Sequence, residues 1–149
     1  MTNFKRIGHI ALRAKDIDAS IAFYRDILGM EEAFRMYNEA GKLSTIYLCL
    51  AHGQFIEIFP DGLVERKIDA DTIGYSHLCI EVEEAAKTLE TLRAKGLPVD
   101  SELQTGLSKC RMFWTHDPDG NRIEFMELTP ESLQAKAINS LLQPAKTVL

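Results

Sequence analysis

Gly8-His9-Ile10 near the start of the chain is echoed by Ser76-His77-Leu78, and Phe55-Ile56-Glu57-Ile58 is echoed by Arg122-Ile123-Glu124-Phe125. The two histidines lie 68 residues apart and the two glutamates 67. A spacing this long exceeds the period of solenoid repeats, and two copies are too few to build one. One folding unit written twice accounts for both echoes.

The segments around these anchors give the unit its shape. In the first copy, β-like runs cover Ile7–Arg13, Glu31–Asn38, Ser44–Leu50 and Gln54–Phe59. In the second they cover Tyr75–Val82, Pro98–Ser101, Lys109–His116 and Arg122–Glu127. A helix follows the first strand of each copy. In the earlier one, Asp16 is placed to cap the orphan N–H groups. Ile17, Ile21, Tyr24 and Leu28 then make one apolar stripe, and Gly29 stands at the C′ position. The later helix runs from about Glu83 to Lys95, with Ala85, Leu89 and Leu92 on its stripe and Gly96 as its stop. His52-Gly53 and Asp117-Pro118-Asp119-Gly120 carry hairpin chemistry.

After Glu127 the pattern predicts a C-terminal helix with Thr129 as N-cap and Pro130 at N1. Its narrow stripe, Leu133, Ala137 and Leu141, is expected to dock on the domain. The fold class is therefore α+β, with two βαβββ modules in tandem whose curved mixed sheets are expected to surround a cup. One domain spans 1–149, made of a module at 4–59, a polar connector at 60–73, a module at 74–128 and a C-terminal helix at 129–143.

Composition narrows the function. A hydrophobic fraction of 46% and a charged fraction of 26% are those of an ordinary globular protein. The net charge of −5, with no lysine-arginine cluster, argues against a nucleic-acid partner. No apolar stretch approaches the ~20 residues that span a bilayer, so no membrane partner is expected. The amino terminus lacks the apolar run of a secretory signal. Three cysteines, Cys49, Cys79 and Cys110, are an odd number at unpatterned spacings, which suits free thiols in a reducing, cytoplasmic compartment.

Strand alternation places the anchors. His9 shares a face with Ala11 and Arg13, opposite Ile10 and Leu12, and Glu57 lies opposite Ile56 and Ile58. His77 lies opposite Leu78 and Ile80, and Glu124 opposite Ile123 and Phe125. A lone histidine in a strand is usually structural, and a lone glutamate is usually the wet side of a half-buried strand. Four such residues at equivalent places, all turned away from the helix-packing face, instead form an N/O ligand set for one divalent first-row metal: nickel, cobalt, zinc, manganese or iron. His52 and His116, beside turns, are assigned solvated or structural roles, and Cys79 that of a small buried thiol.

Ile7-Gly8-His9-Ile10-Ala11-Leu12, Ser20-Ile21-Ala22-Phe23-Tyr24-Arg25-Asp26-Ile27-Leu28-Gly29-Met30 and Asp117-Pro118-Asp119-Gly120-Asn121-Arg122-Ile123-Glu124-Phe125 together resemble the vicinal oxygen chelate superfamily. Within it the chain resembles glyoxalase I and the glyoxalase/bleomycin resistance/dioxygenase group. The resemblance covers about residues 4 to 128. Glyoxalase I is similar in having His, Glu, His and Glu at these four places, whereas extradiol dioxygenases lack a ligand corresponding to Glu57. An arginine four residues after the first histidine, here Arg13, is implied to bind substrate. The chain departs from that pattern at Pro60-Asp61, where an asparagine is usual, and its loop Gln104–Lys109 is a weak match to thiol-binding loops.

The resemblance implies a metal-dependent lyase or isomerase, lactoylglutathione lyase-like, that abstracts a proton α to a metal-bound carbonyl by way of an enediolate. Glu124 is the expected base and Glu57 the weaker candidate, because a metal-bound imidazole has committed its lone pair. It also implies a homodimer with each site shared between subunits, acting on a small-molecule substrate. The alternatives are a metal-dependent dioxygenase and a non-catalytic small-molecule binding or resistance protein.

Overall fold

The computed structural model describes residues 3–51, 53–65, 71 and 73–142. The chain divides into two compact units, one comprising Met1–Thr72 with Asp117–Gly120 and the other Ile73–His116 with Asn121–Leu149. His52, residues 66–70 and 72 of the expected connector, and residue 143 of the expected last helix lie outside the described residues.

In the first unit β1 (His9–Arg13), β2 (Glu31–Tyr37), β3 (Leu43–Ala51) and β4 (Gln54–Phe59) form one sheet in the order β1-β4-β3-β2. In the second, β5 (Leu78–Glu81), β6 (Ser101–Thr105), β7 (Arg111–His116) and β8 (Arg122–Glu127) repeat it as β5-β8-β7-β6. Each sheet is mixed: its first and last strands pair in parallel and the remaining contacts are antiparallel. Parallel neighbours require a long crossover, and the helix of each module is part of it. The two βαβββ modules are thus present in tandem, followed by a C-terminal helix.

The first helix, α1 (Ile17–Ile21), continues directly into a π-helical segment, Ala22–Ile27. The Asp16 carboxylate accepts from the N–H groups of Asp18 and Ala19, as expected of the cap. The wider π turns, closed by Leu28 N–H on the Phe23 carbonyl at 3.0 Å, rotate the later positions. Phe23 joins Ser20, Ile21 and Tyr24 in the interior, so Ile21 and Tyr24 of the expected stripe are buried while Ile17 and Leu28 are half-buried. Gly29 takes φ +82°, a left-handed conformation that glycine adopts without the steric cost of a Cβ. Its module core also holds Ile46, Leu48, Ile56 and Ile58, aligned across β3 and β4. At Asp117, 2% exposed, the Tyr24 hydroxyl donates at 2.8 Å and the Asp119 N–H at 3.0 Å.

In the second module α2 (Ala85–Ala94) buries Ala85, Leu89 and Leu92, the stripe read from sequence, and packs on β6, β7 and β8. Its first N–H is capped from afar, by Glu127 Oε2 at 2.8 Å from Ala85 N. Ile123, Phe113 and Phe125 lie beneath it, the two phenyl rings stacked at 4.8 Å.

Several boundaries differ from expectation, β1 beginning at His9 rather than Ile7 and β7 at Arg111 rather than Lys109. β5 starts at Leu78, so His77 immediately precedes the strand. The sixth strand is Ser101–Thr105, not Pro98–Ser101. Leu97 N–H closes the end of α2 on the Leu92 carbonyl, and Pro98 has no N–H to enter a ladder, so pairing waits until the turn is complete. The last helix, α3, is Leu133–Leu142, and its cap is Ser132, whose Oγ accepts from Ala135 N–H at 3.2 Å. Thr129 instead donates to the Lys109 carbonyl. The expected docking of α3 is overturned: none of its residues is buried, and Leu133 and Leu141 are 61% and 83% exposed. Ile138 and Leu142 of the same helix are exposed as well.

Replacing Tyr24 by Phe removes one donor from the buried Asp117 while keeping the ring. The expected result is a loss of about 1–3 kcal/mol of stability, measured as a lower urea midpoint with an unchanged slope.

Candidate metal centre

Each sheet buries one glutamate on an inner strand. On β4, Glu57 alternates with Ile56 and Ile58 and stands between Ala11 of β1 and Tyr47 of β3. On β8, Glu124 alternates with Ile123 and Phe125 and stands between Cys79 of β5 and Trp114 of β7. The two glutamates are 7% and 8% exposed. A carboxylate so covered needs a partner, and each has an imidazole. His9 Nε2 lies 3.4 Å from Glu57 Oε2, and His77 Nε2 lies 3.2 Å from Glu124 Oε2.

The surroundings of the two pairs also correspond. The His9 ring meets the edge of Tyr47 at 5.7 Å and 77°, and the His77 ring meets Trp114 at 4.9 Å and 76°. The Nδ1 of His77 is 3.2 Å from Ser76 Oγ, a contact that holds the ring with Nε2 toward the carboxylate. The Arg122 guanidinium covers the Trp114 ring at 4.4 Å. The neighbouring Glu57 carboxylate, ahead of burial, raises the Tyr47 phenol above its usual value. At Cys79, burial and then the Glu124 charge push the thiol up to about 12. The residue as a whole is exposed, correcting the expectation of a buried thiol, so the covering of its sulfur is partial and the carboxylate matters alongside it.

Of the other residues singled out, Arg13 is exposed at the end of β1, donating to the Pro60 carbonyl at 3.0 Å and lying over the Phe59 ring at 5.3 Å. Asp61 pairs with Lys42 at 2.9 Å. His116 pairs with Asp100 at 2.8 Å, the structural role expected of it. The Gln104–Lys109 segment is part strand, with Gln104 and Thr105 closing β6.

Sequence reading missed Tyr47, Trp114 and Ser76. A signal for the first two was present: they too are 67 residues apart, the spacing of the glutamates. It was hidden because tyrosine and tryptophan differ in polarity and each looks like an ordinary strand residue.

The donor chemistry fits a divalent cation. Two ligands each about 2.1 Å from an ion and at right angles stand roughly 3 Å apart, near the spacing of each His–Glu pair. Each pair supplies two donors. Among the described residues no group of three or more His, Cys, Asp or Glu side chains gathers closely enough to hold a metal.

The family model of the Glyoxalase/Bleomycin resistance protein/Dioxygenase superfamily matches residues 6–125. The chain belongs to that superfamily. This glyoxalase-superfamily protein is 35% identical over 127 residues to the lactoylglutathione lyase of Haemophilus influenzae, across 82% of this chain and 92% of that one. It is 28% identical over 123 residues to the uncharacterized protein YwbC of Bacillus subtilis, across 83% and 98% of the two chains. Among solved structures, the glyoxalase family protein from Enterococcus faecalis is similar with a TM-score of 0.73 at 28% identity, covering 85% of this chain and 100% of that one. Among the described residues no helix is long and apolar enough to cross a membrane.

The raised Cys79 thiol sets a pH dependence. Below about 12 it stays protonated, so reactivity rises with pH only as that value is approached. In metal-free protein at pH 8, alkylation of Cys79 should be roughly 10–100-fold slower than that of an ordinary thiol, the scarcer thiolate being partly offset by its greater nucleophilicity. Mass spectrometry after timed iodoacetamide treatment measures this, and Glu124→Gln should accelerate it.

Proposed function

We propose that this protein is a divalent-metal-dependent lyase or isomerase of glyoxalase I type, with His9, Glu57, His77 and Glu124 as the metal ligands. The observation that carries the reading is the duplicated His–Glu pair, each with its carboxylate buried and its imidazole nitrogen turned toward it. The similarity to a lactoylglutathione lyase supports the reaction class. Four N/O donors also distinguish it from the dioxygenase alternative, which uses one carboxylate fewer.

A bound divalent ion supplies Lewis acidity toward a substrate carbonyl, which acidifies the adjacent C–H. The protein's own part is proton handling. Glu124 takes the proton from the carbon α to the carbonyl and returns it to the neighbouring carbon, and a carboxylate suits this because one oxygen can remain committed while the other accepts. His9 and His77 would hold the ion beside the carboxylates. Arg13, held over Phe59 at the strand end, draws in an anionic end of the substrate. The Lys42 partner offsets the charge of Asp61, which otherwise opposes such an anion.

The two pairs serve one ion in a homodimer, His9 and Glu57 from one subunit joining His77 and Glu124 of the other. The free thiols suit a reducing, cytoplasmic setting.

Elemental analysis of the purified protein should find about one nickel, cobalt, zinc, manganese or iron per chain, removed by chelation and absent from His77→Ala. No uptake of any of these ions would sink the proposal. Glu124→Gln should keep most of the metal and lose turnover by at least about 100-fold with a glutathione hemithioacetal or another α-hydroxycarbonyl substrate. Full activity in that variant removes Glu124 as base. Mixing inactive His9→Ala with inactive His77→Ala should restore metal-dependent activity, since one site of the mixed dimer is intact; no recovery after verified subunit exchange contradicts sharing.

A further inference from the structure

The two copies of the module differ in the residue two places before each buried glutamate. In the first it is Phe55, whose ring meets that of Tyr47 at 6.1 Å. In the second it is Arg122, whose guanidinium lies over Trp114 at 4.4 Å. Arg122 and Glu124 share a face of β8 by strand alternation, and Trp114 is the direct cross-strand neighbour of Glu124. The same indole meets the His77 ring at 4.9 Å, so one aromatic side chain touches both the cation and the half-site.

The charge of Arg122 is not used within the fold. Arg25 and Arg35 pair with Asp26 and Glu32, Arg93 with Glu102 and Arg111 with Glu127. Arg122 is exposed, and among the described residues it makes neither an ion pair nor a hydrogen bond. Its register partner is His116, which takes the Asp100 carboxylate at 2.8 Å. The Glu124 carboxylate, two places on, is turned to His77 at 3.2 Å. A guanidinium over a ring keeps the N–H donors along its edge free, and that planar fork matches the oxygens of a carboxylate or phosphate. A cation held in place without a counter-ion is preorganised for an anion from outside.

We propose that Arg122, steadied by Trp114, is a specificity-determining residue that binds an anionic oxygen group of the substrate, a carboxylate or a phosphate, beside His77 and Glu124. This role rests on the reading of the two His–Glu pairs as the metal ligands. It narrows the substrate class to α-hydroxycarbonyl compounds that carry such a group, bound one indole ring away from the His77 imidazole. The contact is distinct from Arg13, which belongs to the other module and donates to the Pro60 carbonyl. At the place equivalent to Arg122 the first module offers only the apolar ring of Phe55.

Trp114 is the chain's single tryptophan, so its fluorescence reports on both the cation and the half-site. The full chain is titrated with inorganic phosphate and, separately, with acetate at constant ionic strength, with and without Ni²⁺. A saturable change in emission is expected. Arg122→Gln should raise the half-saturating anion concentration roughly 10–100-fold while the melting temperature stays unchanged. Arg122→Lys should recover only part of the affinity, because an ammonium lacks the planar fork. A response to either anion supports the role, and the anion that binds more tightly identifies the substrate group as phosphate or carboxylate. No saturable change with either anion, or the same titration in Arg122→Gln, overturns the role of Arg122. Ni²⁺ alone should quench Trp114 through its contact with His77. Quenching without an anion response leaves the metal reading intact and removes only the anion contact. Absence of quenching overturns the metal reading, and with it the assignment of the anion to a substrate.

Discussion

The parallel pairing of the first and last strands in each module is the constraint on which the rest of the structure depends. β1 pairs with β4 and β5 with β8, and the crossover that parallel strands demand accounts for the helix and for the two strands that complete each sheet. The same pairing brings a histidine and a glutamate from opposite ends of a module to within 3.4 Å in one copy and 3.2 Å in the other. It also places each glutamate on an inner strand, with a paired strand on either side.

Burial then makes the chemistry. A carboxylate about nine-tenths covered needs compensating partners. An imidazole nitrogen stands beside each carboxylate, with Tyr47 as the strand neighbour of one and Cys79 of the other. Belonging to the glyoxalase superfamily accounts for the common frame, and the residues beside each glutamate are where the two copies differ.

Much of this was legible along the chain. The βαβββ order, the tandem arrangement, Asp16 as a cap, Gly29 and Gly96 as stops, and the α2 stripe all follow from local chemistry acting within a few residues. The paired His–Glu positions were legible because duplication writes the same signal twice. Legibility failed where a distant contact overrode the local pattern. The π turns that bring Phe23 inward, the Glu127 carboxylate that caps α2, and the backbone bonds around Pro98 that delay β6 each depend on partners that spacing alone does not reveal. At the C-terminus the helix was legible, but its start after the Ser132 cap and the exposure of its apolar residues were not.

Residue order by itself determined the duplicated module, the strand faces and the four candidate ligands, because alternation along a strand is fixed by backbone geometry and repeats in register with the duplication. Tertiary structure decided which groups stand beside each ligand: Tyr47 next to Glu57, Cys79 and Trp114 next to Glu124, and Ser76 behind His77. The reason is physical. Faces are a property of one strand, whereas neighbours are set by register between strands, and register is chosen by the collective packing of the whole sheet.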